Sequence, residues 1–304
     1  MLASTMPSSL LTLSYHPPLA WTVMLRFFAA RAIKGVEFVD DHAYRRLLVF
    51  DGCPVRVEVR ADEARADALA VRVDTTDVAA IDFCRTRASR AFDLARDVTP
   101  IERHLRRDPL LSSAILNCPG LRPPGAWEAF ELAIRAILGQ QISVVAARQL
   151  AGQLVALCGR KIPGRVSTDP LSHLFPTAAD LAGADLSTLG MPDARRRTLR
   201  AMARAVLDDP DCLQPTGGLL EAVTRLQAIS GIGPWTAHYI ALRAFREADA
   251  FPASDVALLR VAGDGQRLNA RALLARAEAW RPWRAYAAQY LWSCPPMRSS
   301  GGSA

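Results

Sequence analysis

Gly231-Ile232-Gly233-Pro234-Trp235-Thr236 forms a glycine-bearing turn between two apolar-patterned stretches, and Asp255 stands 22 residues beyond Gly233. Glycine reaches positive φ without Cβ strain, and Pro234 suits the first turn of a helix. Such a turn points bare backbone N–H groups and a helix N-terminus outward, an arrangement that suits a phosphate. A single carboxylate at a fixed distance past the turn can stabilise developing positive charge and orient or deprotonate a water. Taken alone, a Gly-x-Gly turn is equally a plain helix corner. Asp255, at the end of Pro252-Ala253-Ser254-Asp255, is equally a helix N-cap, since Ser and Asp are both favoured there. The two roles are compatible, because a helix N-terminus also favours a charged carboxylate.

The elements that must hold these residues fall into two kinds. Val36 to Val39, Arg45 to Phe50, Val55 to Arg60 and Leu69 to Val73 alternate with period two, most clearly where Val55, Val57 and Val59 interleave with Arg56, Glu58 and Arg60. These segments predict an antiparallel sheet with one face covered by helices at Ala20 to Ile33 and Ile81 to Leu94. From Thr99 onward the spacing is helical, with Pro123-Pro124-Gly125 marking a join. Trp127, Phe130, Ile134, Ile137 and Leu138 fall on one face. Gly139-Gln140-Gln141-Ile142-Ser143 interrupts the pattern, which resumes from Val144 to Leu157. Pro192 opens a helix whose buried stripe is Leu199, Met202 and Val206, leaving Arg195, Arg196 and Arg197 as solvated surface.

Composition narrows the class. A chain of 304 residues, half of them apolar, exceeds one compact core and predicts two or three domains. The net charge is +7, and the basic residues are nearly all Arg, with only Lys34 and Lys161 as lysines. Arg pairs bidentately with phosphate, so the balance is compatible with nucleic acid without demanding it. Cys53, Cys84, Cys118, Cys158, Cys212 and Cys294 lie far apart with no C-x-x-C pair, the pattern of reduced thiols rather than of a metal site. No apolar run approaches membrane-spanning length, and the acid-free start is broken as a presequence by Tyr15-His16-Pro17-Pro18. A soluble cytoplasmic protein, nucleoid-associated when bound to DNA, is expected, with disordered tails at 1–12 and 295–304.

Five stretches in order carry a resemblance: Tyr15-His16-Pro17-Pro18 with Met24-Leu25-Arg26-Phe27; Arg135-Ala136-Ile137-Leu138-Gly139-Gln140-Gln141; Leu189-Gly190-Met191-Pro192; the glycine turn with Asp255; and Arg281-Pro282-Trp283-Arg284-Ala285-Tyr286. Over Leu13 to Ser293 the chain resembles the AlkA-type 3-methyladenine DNA glycosylases of the helix-hairpin-helix DNA glycosylase superfamily. The resemblance implies an α+β architecture: an N-terminal antiparallel sheet domain of TATA-binding-protein-like shape, then a two-lobed helical region with the active cleft between its lobes. The corresponding division is 13–98 for the sheet domain, 99–123 plus 248–294 for the lobe carrying the Asp, and 124–247 for the lobe carrying the hairpin.

The same resemblance implies the site. Asp255 faces C1′ of the sugar, and Phe27, Trp235, Tyr239 and Trp292 line a pocket that holds cationic alkylated purines by cation–π attraction. Phe27 must reach in from another domain. Gln141 takes the place of the wedge that fills the hole left by an extruded base, where relatives often have Leu; a helix cap is its plainer role. Backbone groups around Gly231, Ile232, Gly233 and Thr236 hold phosphates. Relatives often bind a monovalent cation through hairpin carbonyls, here those of Gln227, Ile229 and Ile232. The Schiff-base lysine of bifunctional glycosylase/lyases is replaced by Trp235, and the four cysteines of an iron–sulfur cluster are lacking, since only Cys294 follows the hairpin. The implied function is therefore a monofunctional, cofactor-independent, monomeric glycosylase that excises alkylated purines such as 3-methyladenine from double-stranded DNA. The alternative is a non-catalytic helix-hairpin-helix DNA-binding or lesion-sensing protein. His16 and His238 read as ordinary polar residues.

Overall fold

Period-two alternation becomes a five-stranded antiparallel sheet in the computed structural model, which describes residues 7–163, 169–215, 217–263 and 268–293. Strands β1 (Ser9–Ser14), β2 (Glu37–Val39), β3 (Ala43–Phe50), β4 (Cys53–Ala61) and β5 (Ala68–Val73) are ordered β1-β5-β4-β3-β2. Helices α1 (Trp21–Arg31) and α2 (Val78–Ala91) pack on this sheet, and Asp77 caps α2 by accepting from the N–H groups of Ala79 and Ala80. Strand β1 overturns part of the expected tail at 1–12: it pairs with β5 in the register Leu11↔Val71 and Leu13↔Leu69. The expected tail at 295–304, like Cys294, lies outside the described residues. On β4, Val55, Val57 and Val59 are buried as the alternation requires. On β3, however, Leu47 and Leu48 are both buried, because Leu47 packs with Ile162, Leu171 and Leu174 at a two-stranded hairpin, β6 (Arg160–Lys161) and β7 (His173–Leu174).

The remainder is helical: α3 (Thr99–Leu105), α4 (Pro109–Asn117), α5 (Ala129–Leu138), α6 (Val144–Cys158), α7 (Ala178–Gly183), α8 (Asp193–Asp208), α9 (Gly218–Gln227), α10 (Pro234–Ile240), α11 (Val256–Ala262), α12 (Ala270–Ala277) and α13 (Arg284–Ser293). These helices build two hydrophobic cores. One is formed by α5 to α10, with Ile134, Leu154, Leu199, Met202, Leu226 and Ile240 at its centre. The other gathers α3 and α4 with α11 to α13, around Ile101, Leu111, Leu258, Leu273 and Tyr290. Trp127 departs from the expected helix face: its ring stacks on Tyr44 at 5.5 Å in the core of the sheet domain, ahead of α5.

A buried charge network locks the sheet to α5. Arg46 on β3 donates to Glu131 at 2.7 Å, and Arg135 donates to Glu131 at 2.6 Å and also to Glu37 of β2. Glu37 further accepts from the Tyr44 hydroxyl and from the N–H of Ile33. Two acids and two guanidiniums thus neutralise one another where Arg46, Glu131 and Glu37 are only 2%, 6% and 7% exposed. Burial alone would raise the Glu131 carboxyl, but the charges of Arg46 and Arg135 outweigh it and hold the group well below the usual carboxylate range. Because α5 ends at the Gly139 turn, this network sets where that turn stands relative to α1.

Removing one partner strands the opposite charge in a dry interface. Glu131→Gln should cost about 3 kcal/mol or more of unfolding free energy, read from urea melts at neutral pH. A depressed carboxyl stabilises the fold above the unfolded-state value and ceases to do so as pH falls through the folded value. The wild-type advantage over the variant should therefore shrink progressively below about pH 4.3. A difference that stayed constant into strong acid would show that Glu131 does not act through its charge.

Candidate active site

Asp255 ends the extended segment before α11 and caps that helix: its Oδ1 accepts from the N–H groups of Ala257 and Leu258, both at 3.0 Å. The same carboxylate accepts two indole N–H bonds, from Trp292 to Oδ1 at 3.0 Å and from Trp235 to Oδ2 at 2.9 Å. Capping and facing the cleft are therefore one geometry. Four donors and no acceptor converge on the group, and it forms no ion pair among the described residues. Oδ2 carries a single bond and keeps a lone pair for a water or sugar atom.

The carboxylate lines a cleft of about 1650 Å³ bounded by residues from all three cores, larger than an ordinary small-molecule pocket. All four sequence-predicted aromatics reach it: Phe27 from α1, Trp235 and Tyr239 from α10, and Trp292 from α13. Trp235 and Tyr239, one helical turn apart, stack at 5.1 Å with their planes 10° apart, and Trp292 meets Tyr239 edge-on at 6.2 Å. Two cations that the sequence reading passed over also line this wall. Arg31 lies 3.9 Å from the Phe27 centroid, and Arg243 lies among Phe27, Tyr239 and Trp292. Burial pushes the Tyr239 hydroxyl up, but the neighbouring Arg243 and Arg31 outweigh it and bring its pKa below the usual value. Both arginines follow an aromatic residue by four positions, a spacing that places each pair on one helix face.

The hairpin between α9 and α10 uses its glycines differently. Gly231 has φ +85°, and a Cβ there would meet the Thr198 side chain of α8 at 1.8 Å. Gly233 has an extended backbone, caps α10 and faces open space, so only one glycine adopts the positive φ open to both. Ile232 does not present an outward donor: its side chain is buried and its N–H is spent on the Ile229 carbonyl at 3.0 Å. The Ile229 oxygen retains a second lone pair, and among the described residues no backbone N–H occupies the Gln227 or Ile232 carbonyls. These oxygens suit a monovalent cation, for which they would supply neutral hard ligands. Thr236 is buried, and its hydroxyl accepts from Gln140 at 3.0 Å; Gln140 also donates to the Gly231 carbonyl at 3.2 Å.

Gln140 thus ties the end of α5 to the hairpin and leaves Gln141 at the cleft rim, exposed, at φ +59° and with no side-chain hydrogen bond among the described residues. Gln141 is not a helix cap, since Ser143 caps α6 by accepting from the N–H of Ala146. Arg195 and Arg196, expected as solvated surface, instead donate to main-chain carbonyls, Arg195 to Gln140 and Arg196 to Met191 at 2.7 Å. Arg197 is exposed as expected. His238 accepts through Nδ1 from the N–H of Phe251 at 3.2 Å, and burial together with the Arg284 charge holds its pKa down. It steadies the segment leading to Asp255. No group of His, Cys, Asp and Glu suited to a metal ion occurs among the described residues, and no described helix is long and apolar enough to cross a membrane.

Comparison with known proteins matches this arrangement. A model of the AlkA N-terminal domain matches residues 10–128, and that of the HhH-GPD superfamily base excision DNA repair proteins matches 134–285. The chain is 37% identical over 284 residues to the "Probable bifunctional transcriptional activator/DNA repair enzyme AlkA" of Mycobacterium tuberculosis strain H37Rv, covering 93% of this chain and 56% of the relative. It therefore spans about half the length of that curated relative. It is 36% identical to the "DNA-3-methyladenine glycosylase 2" of Escherichia coli K12, with 92% of this chain and 96% of the relative covered. The solved 3-methyladenine DNA-glycosylase of Archaeoglobus fulgidus shares the fold at a TM-score of 0.80 and 22% identity, over 93% of this chain and 97% of that one.

The two hairpin glycines should respond oppositely to a methyl group. Gly231→Ala combines an unfavourable φ with a collision at Thr198 and should cost at least about 1 kcal/mol in thermal or urea melts. Gly233→Ala meets nothing and should stay within about 0.5 kcal/mol of wild type. Equal destabilisation of the two would contradict the geometry of this turn.

Proposed function

Because the chain belongs to the HhH-GPD superfamily of base excision DNA repair proteins, we propose that it is a monofunctional DNA glycosylase. In this reading it turns an alkylated purine out of duplex DNA into the cleft and releases it by hydrolysis, leaving an abasic site. The observation that carries the reading is Asp255: a carboxylate at the cleft wall, held by four N–H donors with no ion-pair partner among the described residues, and flanked by the aromatic side chains of Phe27, Trp235, Tyr239 and Trp292. As the C1′–N bond lengthens, positive charge develops on the deoxyribose. The fixed carboxylate opposes that charge, and the free lone pair of Oδ2 orients the attacking water.

Hydrolysis rather than lyase chemistry is supported by the cleft lining, in which no lysine occurs among the described residues and Trp235 holds the hairpin position of the lyase amine. Alkylated purines are supported by the aromatic walls and by the names of the bacterial relatives. Phosphates would be held by the N–H groups of Gly231 and Gly233 in the hairpin and of Trp235 and Thr236 in the first turn of α10, which have no backbone acceptor among the described residues, and by the exposed Arg26 and Arg148 at the cleft edge. Gln141, unpartnered at the rim, would enter the duplex in place of the extruded base. One chain supplies every one of these groups, so a monomer suffices, acting on DNA in the cytoplasm without a required cofactor.

Asp255→Asn keeps the size of the side chain but turns a donor toward the indole N–H of Trp235. It should lower single-turnover release of 7-methylguanine from duplex DNA by about 100-fold or more. Affinity for a duplex bearing an abasic-site analogue should be retained. Undiminished release would remove Asp255 from the mechanism. Binding without release by the wild type would leave only a DNA-binding protein, and strand breaks formed without alkali would reveal a lyase.

Gln141→Ala should slow excision from paired duplex sites more than from the same lesion in single-stranded DNA, since only the duplex needs a filled gap. An equal loss on both substrates would count against a wedge.

A further inference from the structure

Arg243 occupies an unusual position. It follows Trp235 and Tyr239 at spacings of eight and four on the same helical face, within the π-helical turn Ala241–Phe245 that continues α10. It is 2% exposed, and its guanidinium carbon lies 4.6 Å from the Phe27 centroid, 5.2 Å from that of Trp292 and 5.4 Å from that of Tyr239. One terminal nitrogen donates to the Pro124 carbonyl at 3.0 Å, while Nε has no partner and no carboxylate pairs with the group among the described residues. Burial pulls its pKa down to about 10 against the opposing effect of the Tyr239 hydroxyl that faces it, with the charges of Arg31 and Arg246 adding to the downward pull, and the group stays charged at neutral pH. A buried cation without a carboxylate partner is costly, and a structure that merely needed to fill this space would use an apolar side chain.

The aromatic walls expected to attract a cationic base therefore already carry the protein's own cation. Trp292 joins the two charged ends of the site: its indole N–H reaches Asp255, and its ring faces Arg243. A negative charge at its N–H edge and a positive charge over its ring thus border the same aromatic side chain.

We propose that Arg243 is an electrostatic determinant of leaving-group departure, stabilising the electron pair that an excised base carries away while weakening ground-state binding of a base that is already cationic. The inference rests on the glycosylase reading above. In the step it concerns, the C1′–N9 bond breaks heterolytically and both electrons pass to N9, while the oxygen of one water bonds to C1′. A cationic alkylpurine leaves neutral, and the water gives a proton to solvent through Asp255. A neutral purine leaves as an anion and takes that proton, so the products are free base and the C1′ hydroxyl sugar. In both cases the base becomes one charge unit more negative at the bond-breaking step, and a fixed positive charge nearby favours that change. Asp255 acts on the sugar and Arg243 on the base, through the ring walls rather than by contact, which makes Arg243 a positioning residue for charge.

The test compares wild type, Arg243→Gln and Arg243→Lys in single-turnover release of 7-methylguanine and of hypoxanthine from otherwise identical duplexes. Gln preserves a donor for Pro124 without charge, and Lys preserves charge. Arg243→Gln should lower the saturating rate about 10-fold or more for both bases. It should tighten half-saturation for the cationic 7-methylguanine duplex and leave that for hypoxanthine unchanged. Arg243→Lys should restore the rate at neutral pH but acquire a decline at basic pH that wild type lacks, because a buried amine loses its proton more easily than a guanidinium. That basic limb is readable even where the Gln variant does not fold. Unchanged rates in Arg243→Gln, equal weakening of binding for both bases, or a Lys variant with the wild-type pH profile would each overturn the proposal. Failure of wild type to release either base would instead overturn the glycosylase reading.

Discussion

One carboxylate organises the cleft. Asp255 accepts from the first turn of α11 and from indoles on α10 and α13, so three helices drawn from both helical cores converge on two oxygen atoms. Hydrogen bonds to a charged acceptor are worth roughly 1.5–3 kcal/mol each when well formed, and four in one cluster fix the carboxylate plane as well as its position. The constraint also runs the other way. With their N–H edges committed to Asp255, Trp235 and Trp292 can present only their faces to the space between the lobes. Tyr239 then stacks on Trp235, and the aromatic box follows from the cap.

That convergence explains why capping and chemistry were legible together in the sequence while the local hairpin geometry was only partly so. Spacing located the turn and the acid, the family resemblance pointed to all four aromatics, and the periodicities of 2 and 3.6 separated the sheet from the helices. What spacing could not assign was whatever depends on a neighbour remote in sequence. Gly231 is required by Thr198 of α8 as well as by its own φ, whereas Gly233 is merely open to solvent. Strand β1 exists because β5, about sixty residues later, offers it an edge; Leu10 at 66% exposure gives no alternation strong enough to announce it alone. Trp127 left its expected helix face and Leu47 broke the one-sided burial of its strand for the same reason, each being buried by an element that local pattern does not name.

Arginines were the least legible class. Counting them gave a net charge of +7, and a solvated basic surface is the natural inference. Yet Arg46 and Arg135 neutralise buried acids, Arg122 donates to the carbonyls of Asp93, Arg96, His16 and Pro18, and Arg284 is buried against Asp249. A guanidinium has five donors in a rigid plane, so it can knit carbonyls from separate segments in a way that no periodicity records. The formal charge therefore overstates the free positive charge of the surface, and the cations at the cleft edge are few enough to name: Arg26 and Arg148 are exposed there, while Arg31 and Arg243 lie deeper.

The depth of Arg243 also bears on why the residue is Arg in a chain with only two lysines. An ammonium among three aromatic rings and no carboxylate would give up its proton at a lower pH than a guanidinium, because desolvation acts on a lower starting value. The guanidinium is delocalised and weakly hydrated, and even under the pull of burial to about 10 it remains charged at neutral pH. Its flat faces also meet ring faces without forfeiting the in-plane bond to Pro124. In this form a positive charge therefore persists among the rings over the widest pH range. With a carboxylate that is itself fixed by four donors bordering the same Trp292 ring, the cleft carries both signs of charge on one aromatic wall, which under the proposed reaction would act on the sugar and on the departing base.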